Sequence, residues 1–142
     1  NRNTSRKPSA QSLISAGQGS NKNYIFVRVY TDEGITGLGE ASLGGYTNTV
    51  IALLGDLEEL LLGEDPTRIE YLTQKMVKQL FWKGGVIKGS AIAGVELALW
   101  DILGKSLGQP VYKLLGGSCR EKMRPSVVPL NTTALIRGTP AA

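Results

Sequence analysis

Hydrophobic and polar residues alternate between residues 24 and 41, with a break at a short acidic turn. Ile25, Val27 and Val29 fall on one face of this stretch, and polar or aromatic side chains fall on the other. Alternation with a period of two is typical of a strand that has one buried face. The turn ends in Gly34, which can adopt a positive φ angle at little cost. The pattern therefore predicts a β-hairpin.

The second strand of this hairpin contains two glycines, Gly37 and Gly39. Glycine weakens a strand because it offers no side chain for packing, but it leaves room for another backbone to approach closely. We therefore expect another element of the fold to pack directly against this strand.

Apolar residues then recur every three or four positions in three segments, which predicts three helices. The first helix covers roughly residues 47–62, the second follows Asp65 as its N-cap, and the third runs from near Ser90 to Gly108. The predicted apolar stripes are Val50, Leu54, Leu57 and Leu61 in the first helix, Ile69, Leu72, Met76 and Leu80 in the second, and Ile92, Val95, Leu99 and Ile102 in the third.

A short helical turn from Pro110 to Leu115 and an apolar strand at 126–130 complete the pattern. Strands followed by a run of helices indicate an α+β fold. We expect an antiparallel β-hairpin or a three-stranded meander, followed by a helical bundle. The last strand needs a hydrogen-bonding partner, so it pairs with the hairpin or belongs to a second domain.

The net charge of +4 comes from residues 1–23, which hold four basic residues and no acidic ones. The other residues carry 12 basic and 12 acidic side chains. We predict that residues 1–23 form a disordered basic tail. Their composition also fits a mitochondrial transit peptide, which is the weaker interpretation. A basic tail without a basic folded face argues against a nucleic-acid partner, and the absence of a long apolar run argues against a membrane span.

The 142-residue chain contains no histidine and a single cysteine, Cys119. These counts exclude a Ser-His-Asp triad, a His-ligated zinc site and an intramolecular disulfide within the chain. Adjacent acidic pairs in the helices point in different directions, so we predict no metal site here.

Five segments, in order, resemble the N-terminal capping domain of the enolase superfamily, in its mandelate racemase and galactonate dehydratase branch. The segments are Val27–Glu40, Gly63–Pro66, Ser90–Gly94, Ala98–Lys105 and Leu114–Gly117 with Arg120. The resemblance implies an enolase N-terminal domain-like fold that covers a (β/α) barrel. It also implies Mg²⁺, which stabilises the enediolate formed when the α-proton of a carboxylate is removed.

On this resemblance, residues 24–122 form the capping domain and residues 123–142 begin a barrel, which takes roughly 250 residues when complete. The Mg²⁺ ligands and all catalytic residues would then lie beyond residue 142. The expected function is the cap of a cytoplasmic, Mg²⁺-dependent acid-sugar dehydratase or racemase, which shapes specificity, closes the active site and is inactive alone. The expected partners are the barrel, an acid sugar in the complete enzyme, and a second copy of the chain. The alternative is a non-catalytic binding or assembly module with the same fold.

The segment between the hairpin and the first helix is the candidate substrate loop. Its candidate residues are Ser42, Gly44, Gly45 and Tyr46. The paired glycines would give the loop mobility, and Tyr46 offers a ring and a hydroxyl to a polyol or acid substrate.

Three further groups of residues have alternative interpretations. Phe81, Trp82 and Lys83 are a plug between helices or a contact with the barrel or another subunit. Glu40 is a polar group near the substrate or a structural acceptor at a strand end. Asp101 and Lys105 are an ion pair that fixes a helix, or a catalytic pair, and the neighbouring Trp100 is a core or interface anchor.

Overall fold

The computed structural model describes the backbone of residues 9–12, 24–79 and 84–122, and the side chains of residues 24–78 and 84–122. Within these ranges, three strands precede four helices. The strands are β1 (Ser9–Ser12), β2 (Phe26–Tyr30) and β3 (Thr36–Glu40). The helices are α1 (Thr47–Leu61), α2 (Ile69–Gln79), α3 (Val86–Leu107) and α4 (Val111–Leu114). This order confirms the predicted α+β class with a three-stranded meander.

The sheet is antiparallel and has the strand order β1-β2-β3. Strands β2 and β3 form the predicted hairpin, with Arg28 opposite Leu38. The turn is closed by a hydrogen bond of 3.0 Å from the Gly34 amide to the Thr31 carbonyl oxygen. Gly34 has a φ angle of 79°, which explains why glycine occupies this position.

Strand β1 corrects part of the prediction for residues 1–23, which we expected to form a disordered tail. Ser9 lies opposite Tyr30 and Ser12 lies opposite Val27 on β2. The rest of that segment lies outside the described residues. A four-residue strand of Ser, Ala and Gln has no hydrophobic periodicity. Its pairing with β2 depends on backbone groups that every sequence carries, so no hydrophobic pattern indicated it.

The starts of two helices also differ from the prediction. Helix α2 begins at Ile69, because Asp65 does not cap it but holds a preceding turn. The Asp65 carboxylate accepts hydrogen bonds from the Thr67 amide at 2.9 Å and the Thr67 hydroxyl at 2.7 Å. Helix α3 begins at Val86 after Gly85, which has a φ angle of 94°. Helix α3 therefore starts four residues before the Ser90 that we predicted as its cap.

The hydrophobic core lies between the sheet and helices α1, α2 and α3. The predicted inward face of β2 and the three predicted helical stripes are buried, except that Leu80 lies outside the described residues. The core residues with no more than 2% exposure include Ile25, Val27, Val29, Val50, Leu57, Leu61, Leu72, Met76, Val95, Leu99 and Ile102. Gly108 ends α3 in the left-handed conformation, as predicted.

The backbone of α3 packs directly against β3, which confirms the expectation drawn from the strand glycines. A methyl group added at Gly37 would overlap the carbonyl oxygen of Ala98, and one added at Gly39 would overlap that of Gly94. In the other direction, a methyl group added at Gly94 would lie 2.6 Å from the Cβ of Ala41. Small residues on both elements therefore set the distance between the sheet and the longest helix.

Candidate functional site

The candidate substrate loop, residues 42–46, follows β3 and is attached to the start of β2. The Ile25 amide donates a hydrogen bond of 2.9 Å to the Ser42 hydroxyl oxygen. The Ala41 amide donates one of 2.9 Å to the Ile25 carbonyl oxygen. Ser42 is therefore an anchor at the base of the loop, and its oxygen already has a backbone partner.

The tip of the loop is a turn that leads into α1. The Tyr46 amide donates a hydrogen bond of 3.2 Å to the Leu43 carbonyl oxygen, and Leu43 packs against the core. Gly45 has a φ angle of 82°, so this turn requires glycine there, whereas Gly44 has no positive φ angle. Both loop glycines thus lie in a defined turn, and Gly45 is the one whose backbone conformation requires glycine.

The Tyr46 side chain is the exposed group that this turn presents. Tyr46 is the N-cap residue of α1, without a side-chain capping bond, and 51% of its surface is exposed. Its ring and hydroxyl can contact a molecule above the loop, because the hydrogen bonds at Ser42 and Leu43 hold the backbone that leads to it.

The Asp101–Lys105 pair on α3 binds the outer edge of β3. The Asp101 carboxylate accepts hydrogen bonds from the Leu38 amide at 2.9 Å and from the Lys105 ammonium at 2.7 Å. The Lys105 ammonium also donates to the Thr36 carbonyl oxygen at 2.7 Å. Because the pair supplies one acceptor and one donor to backbone groups that point away from β2, it takes the place of a neighbouring strand.

Glu40 and Trp100 are the other two residues that we singled out as structural candidates. Glu40 is exposed at the end of β3, and Trp100 is half-buried against the core. Glu40 lies at a groove of about 450 Å³, which we call the edge groove. The edge groove is lined by Phe26, Leu38, Gly39, Glu40, Leu97, Asp101 and Val111.

Two lysines that the sequence did not single out bind the ends of helices. Lys75 on α2 donates hydrogen bonds of 2.8 Å to the Leu60 carbonyl oxygen and 2.7 Å to the Glu64 carboxylate. Lys88 on α3 is 8% exposed and donates one of 2.8 Å to the Val77 carbonyl oxygen. Both cations lie near the carboxyl end of the preceding helix, where the helix dipole favours positive charge.

Phe81, Trp82 and Lys83 lie outside the described residues, as does the apolar strand predicted at residues 126–130. Their proposed roles stay predictions.

The described residues do not provide a site for Mg²⁺. A Mg²⁺ ion needs near-octahedral oxygen ligands, usually including one or two carboxylates. In residues 24–78 and 84–122, no three acidic or cysteine side chains lie close enough together to hold a metal ion. Among the described helices, none is long and apolar enough to cross a membrane.

Residues 2–116 match the family model of the mandelate racemase / muconate lactonizing enzyme N-terminal domain. D-galactonate dehydratase of Ralstonia pickettii (strain 12J) is 52% identical over 101 residues, which cover 71% of this chain and 26% of the relative. D-galactonate dehydratase of Verminephrobacter eiseniae (strain EF01-2) is 50% identical with the same coverage. The chain thus spans about a quarter of the length of these relatives.

Solved structures show the same similarity. An enolase-superfamily member from Salmonella Typhimurium matches with a TM-score of 0.75 and 37% identity, covering 81% of this chain and 30% of that chain. An enolase from Pantoea ananatis, described with bound d-gluconate and Mg, matches with a TM-score of 0.75 and 34% identity. That match covers 81% of this chain and 28% of the other.

Proposed function

This chain belongs to the mandelate racemase / muconate lactonizing enzyme family through its N-terminal domain, and we propose that it is the cap of an acid-sugar dehydratase. The observation that carries the proposal is the 52% identity to a D-galactonate dehydratase over 101 residues of the cap. In this proposal, residues 24–122 with β1 form the cap, and residues 123–142 begin the catalytic barrel. The complete enzyme acts in the cytoplasm.

The cap contacts the substrate and closes the active site, and the barrel carries out the chemical steps. Mg²⁺ and the acid/base groups are held by the barrel. The cap contributes the loop of residues 42–46, which positions the Tyr46 ring and hydroxyl over the substrate. Closing the site excludes water and strengthens the electrostatic interactions inside it. On its own, the 142-residue chain has no turnover.

A hybrid enzyme tests the proposal. Residues 2–116 replace the matching region of the Ralstonia pickettii dehydratase, and keto-acid formation from D-galactonate and related acid sugars is measured with Mg²⁺. The expected result is turnover by the hybrid enzyme and none by the 142-residue chain. The relative's barrel without a cap is the control. A well-folded hybrid that turns over no acid sugar would favour the alternative, a non-catalytic module that shares only the fold.

The hybrid enzyme also tests the substrate loop through one hydroxyl group. Tyr46→Phe removes the hydroxyl and keeps the ring, and Tyr71→Phe is the matched control on α2, where 43% of the side chain is exposed. A lost hydrogen bond to a substrate hydroxyl costs about 0.5–1.5 kcal/mol, or roughly twofold to tenfold in kcat/KM. We expect this loss for some acid sugars and not others with Tyr46→Phe, and no change with Tyr71→Phe.

A further inference from the structure

The hydrogen bonds between β2 and β3 end on a side chain. The register that pairs Phe26 with Glu40 places Ile25 opposite Ala41. Because the Ala41 amide donates a hydrogen bond of 2.9 Å to the Ile25 carbonyl oxygen, this is a hydrogen-bonded pair, which in a regular antiparallel ladder exchanges two bonds. The Ile25 amide, however, donates its bond of 2.9 Å to the Ser42 hydroxyl oxygen. The hydroxyl thus takes the place of the Ala41 carbonyl oxygen in the last rung of the ladder.

This exchange of acceptors determines where the chain leaves the sheet. Ile25 has no exposed surface, so its amide needs an acceptor inside the protein. A second bond between Ile25 and Ala41 would continue the ladder and carry the next residues along β2. Since Ser42 supplies the acceptor instead, the backbone is free to turn away from β2 directly after Ala41, where the substrate loop begins.

The Tyr46 backbone is held on both sides of this turn. Its amide donates to the carbonyl oxygen of Leu43, which packs against the core, and its own carbonyl oxygen accepts a hydrogen bond of 3.0 Å from the Val50 amide in the first turn of α1. The Tyr46 ring is half exposed, so its position depends on this backbone. The direction in which the chain leaves the sheet at Ser42 is therefore passed on to the Tyr46 ring through a single short turn.

We propose that Ser42 is a positioning residue, whose hydroxyl accepts the Ile25 amide and thereby sets the position of Tyr46 over the substrate. Ser42 then contributes to the choice among acid sugars without touching the sugar itself. The proposal rests on the proposed function, because it needs Tyr46 to contact a hydroxyl group of the substrate. A direct contact between Ser42 and the substrate is the competing explanation, which the variants below distinguish.

Two matched variants of the hybrid enzyme test the proposal. Ser42→Ala removes one hydroxyl, and Thr31→Val removes another, which accepts the Ile35 amide at 3.1 Å at the opposite end of the same hairpin. Both should lower the melting temperature, because each leaves a backbone amide without its acceptor. Only Ser42→Ala should change the ratio of kcat/KM between acid sugars, by about twofold to tenfold and in the same direction as Tyr46→Phe. An unchanged ratio with Ser42→Ala, or an equal change with Thr31→Val, would overturn the proposal.

A double-mutant cycle separates positioning from direct contact. Residues that act through one another give effects that do not add. If Ser42 acts through the Tyr46 hydroxyl, Ser42→Ala should leave the kcat/KM ratio unchanged in a hybrid enzyme that already carries Tyr46→Phe. Additive effects would assign Ser42 its own substrate contact and overturn the proposal. Ser42→Thr keeps an acceptor oxygen and should retain the original ratio, and a ratio like that of Ser42→Ala would count against the role of the hydroxyl.

Amide hydrogen exchange of the 142-residue chain gives a readout that needs no catalysis. Ser42→Ala should speed exchange of the Tyr46 amide by about tenfold, which corresponds to about 1.4 kcal/mol of local opening, and Thr31→Val should leave it nearly unchanged. An inactive hybrid enzyme combined with this response would refute the dehydratase assignment and leave the positioning of Tyr46 by Ser42 standing. An active hybrid enzyme combined with equal Tyr46 exchange in both variants would refute the positioning role and leave the proposed function standing.

Discussion

Gly39→Ala should destabilise the fold, because it adds a methyl group where the backbone of α3 touches β3. The added carbon would overlap the carbonyl oxygen of Gly94 and lie 3.0 Å from the Ala98 amide nitrogen. Both contacts are backbone atoms within a 22-residue helix, so no side-chain rotation can relieve them. Relief requires the helix to move away from the sheet.

The magnitude follows from two opposing effects. Forcing an extra methyl group into a packed interior costs about 1–3 kcal/mol. Replacing glycine with alanine also restricts the unfolded chain, which stabilises the fold by about 0.4–1 kcal/mol. The steric cost is larger, so the net change should be a loss of stability. For a domain of this size, each 1 kcal/mol lost lowers the melting temperature by about 4–8 °C.

Urea unfolding of the 142-residue chain, followed by circular dichroism, measures the effect. Gly44→Ala and Gly55→Ala are the controls, because neither position has a positive φ angle and a methyl group at either meets nothing within 4 Å. Gly55 lies within α1, so its substitution should raise stability by up to about 1 kcal/mol. If Gly39→Ala were as stable as the unchanged protein, the direct packing of α3 on β3 would be refuted.

Three further predictions concern the sheet and the loop. Asp101→Ala should lower the free energy of unfolding by about 1–3 kcal/mol, and a double-mutant cycle with Lys105→Ala should show coupling between the two, whereas independent effects would contradict the shared role. Deleting residues 1–12 removes β1 and opens an edge of β2, so light scattering should show more self-association than in the intact chain. Tyr46→Phe should change the ratio of kcat/KM between acid sugars in the hybrid enzyme, and the same change with Tyr71→Phe would contradict a specific loop contact.

The sequence predicted most of the fold because the buried elements carry periodic patterns. The hairpin faces and the helical stripes followed from the positions of large apolar residues, and Gly37 and Gly39 predicted close backbone packing. The starts of α2 and α3 were wrong. In both cases a short-range backbone arrangement, a turn at Asp65 or a positive φ angle at Gly85, decided where the helix begins. Such arrangements leave no periodic pattern of hydrophobic residues in the sequence.

The sequence predicted a connecting segment at residues 42–46, between β3 and α1, but not the contacts that its residues make. Ser42 and Tyr46 were both candidates for substrate contact by residue type. The structure separates them, because the Ser42 oxygen accepts a bond from the Ile25 amide and the Tyr46 ring is exposed. Ile25 is 17 residues away in the sequence, and its amide is a group that every residue except proline possesses. No pattern of residue types indicates that pairing.

Hydrogen bonds to backbone groups also explain why we did not identify Lys75 and Lys88 from the sequence. They show, in addition, how the elements of this cap are joined. Lys75, Lys88 and Lys105 each donate to a backbone carbonyl of a different element, at the ends of α1 and α2 and on the edge of β3. A carbonyl acceptor does not depend on the side chain of the residue that carries it, so no complementary residue marks the contact in the sequence. The hydrophobic pattern therefore determines which faces of the elements meet, while charge-assisted bonds to backbone groups hold the element ends and one sheet edge in place.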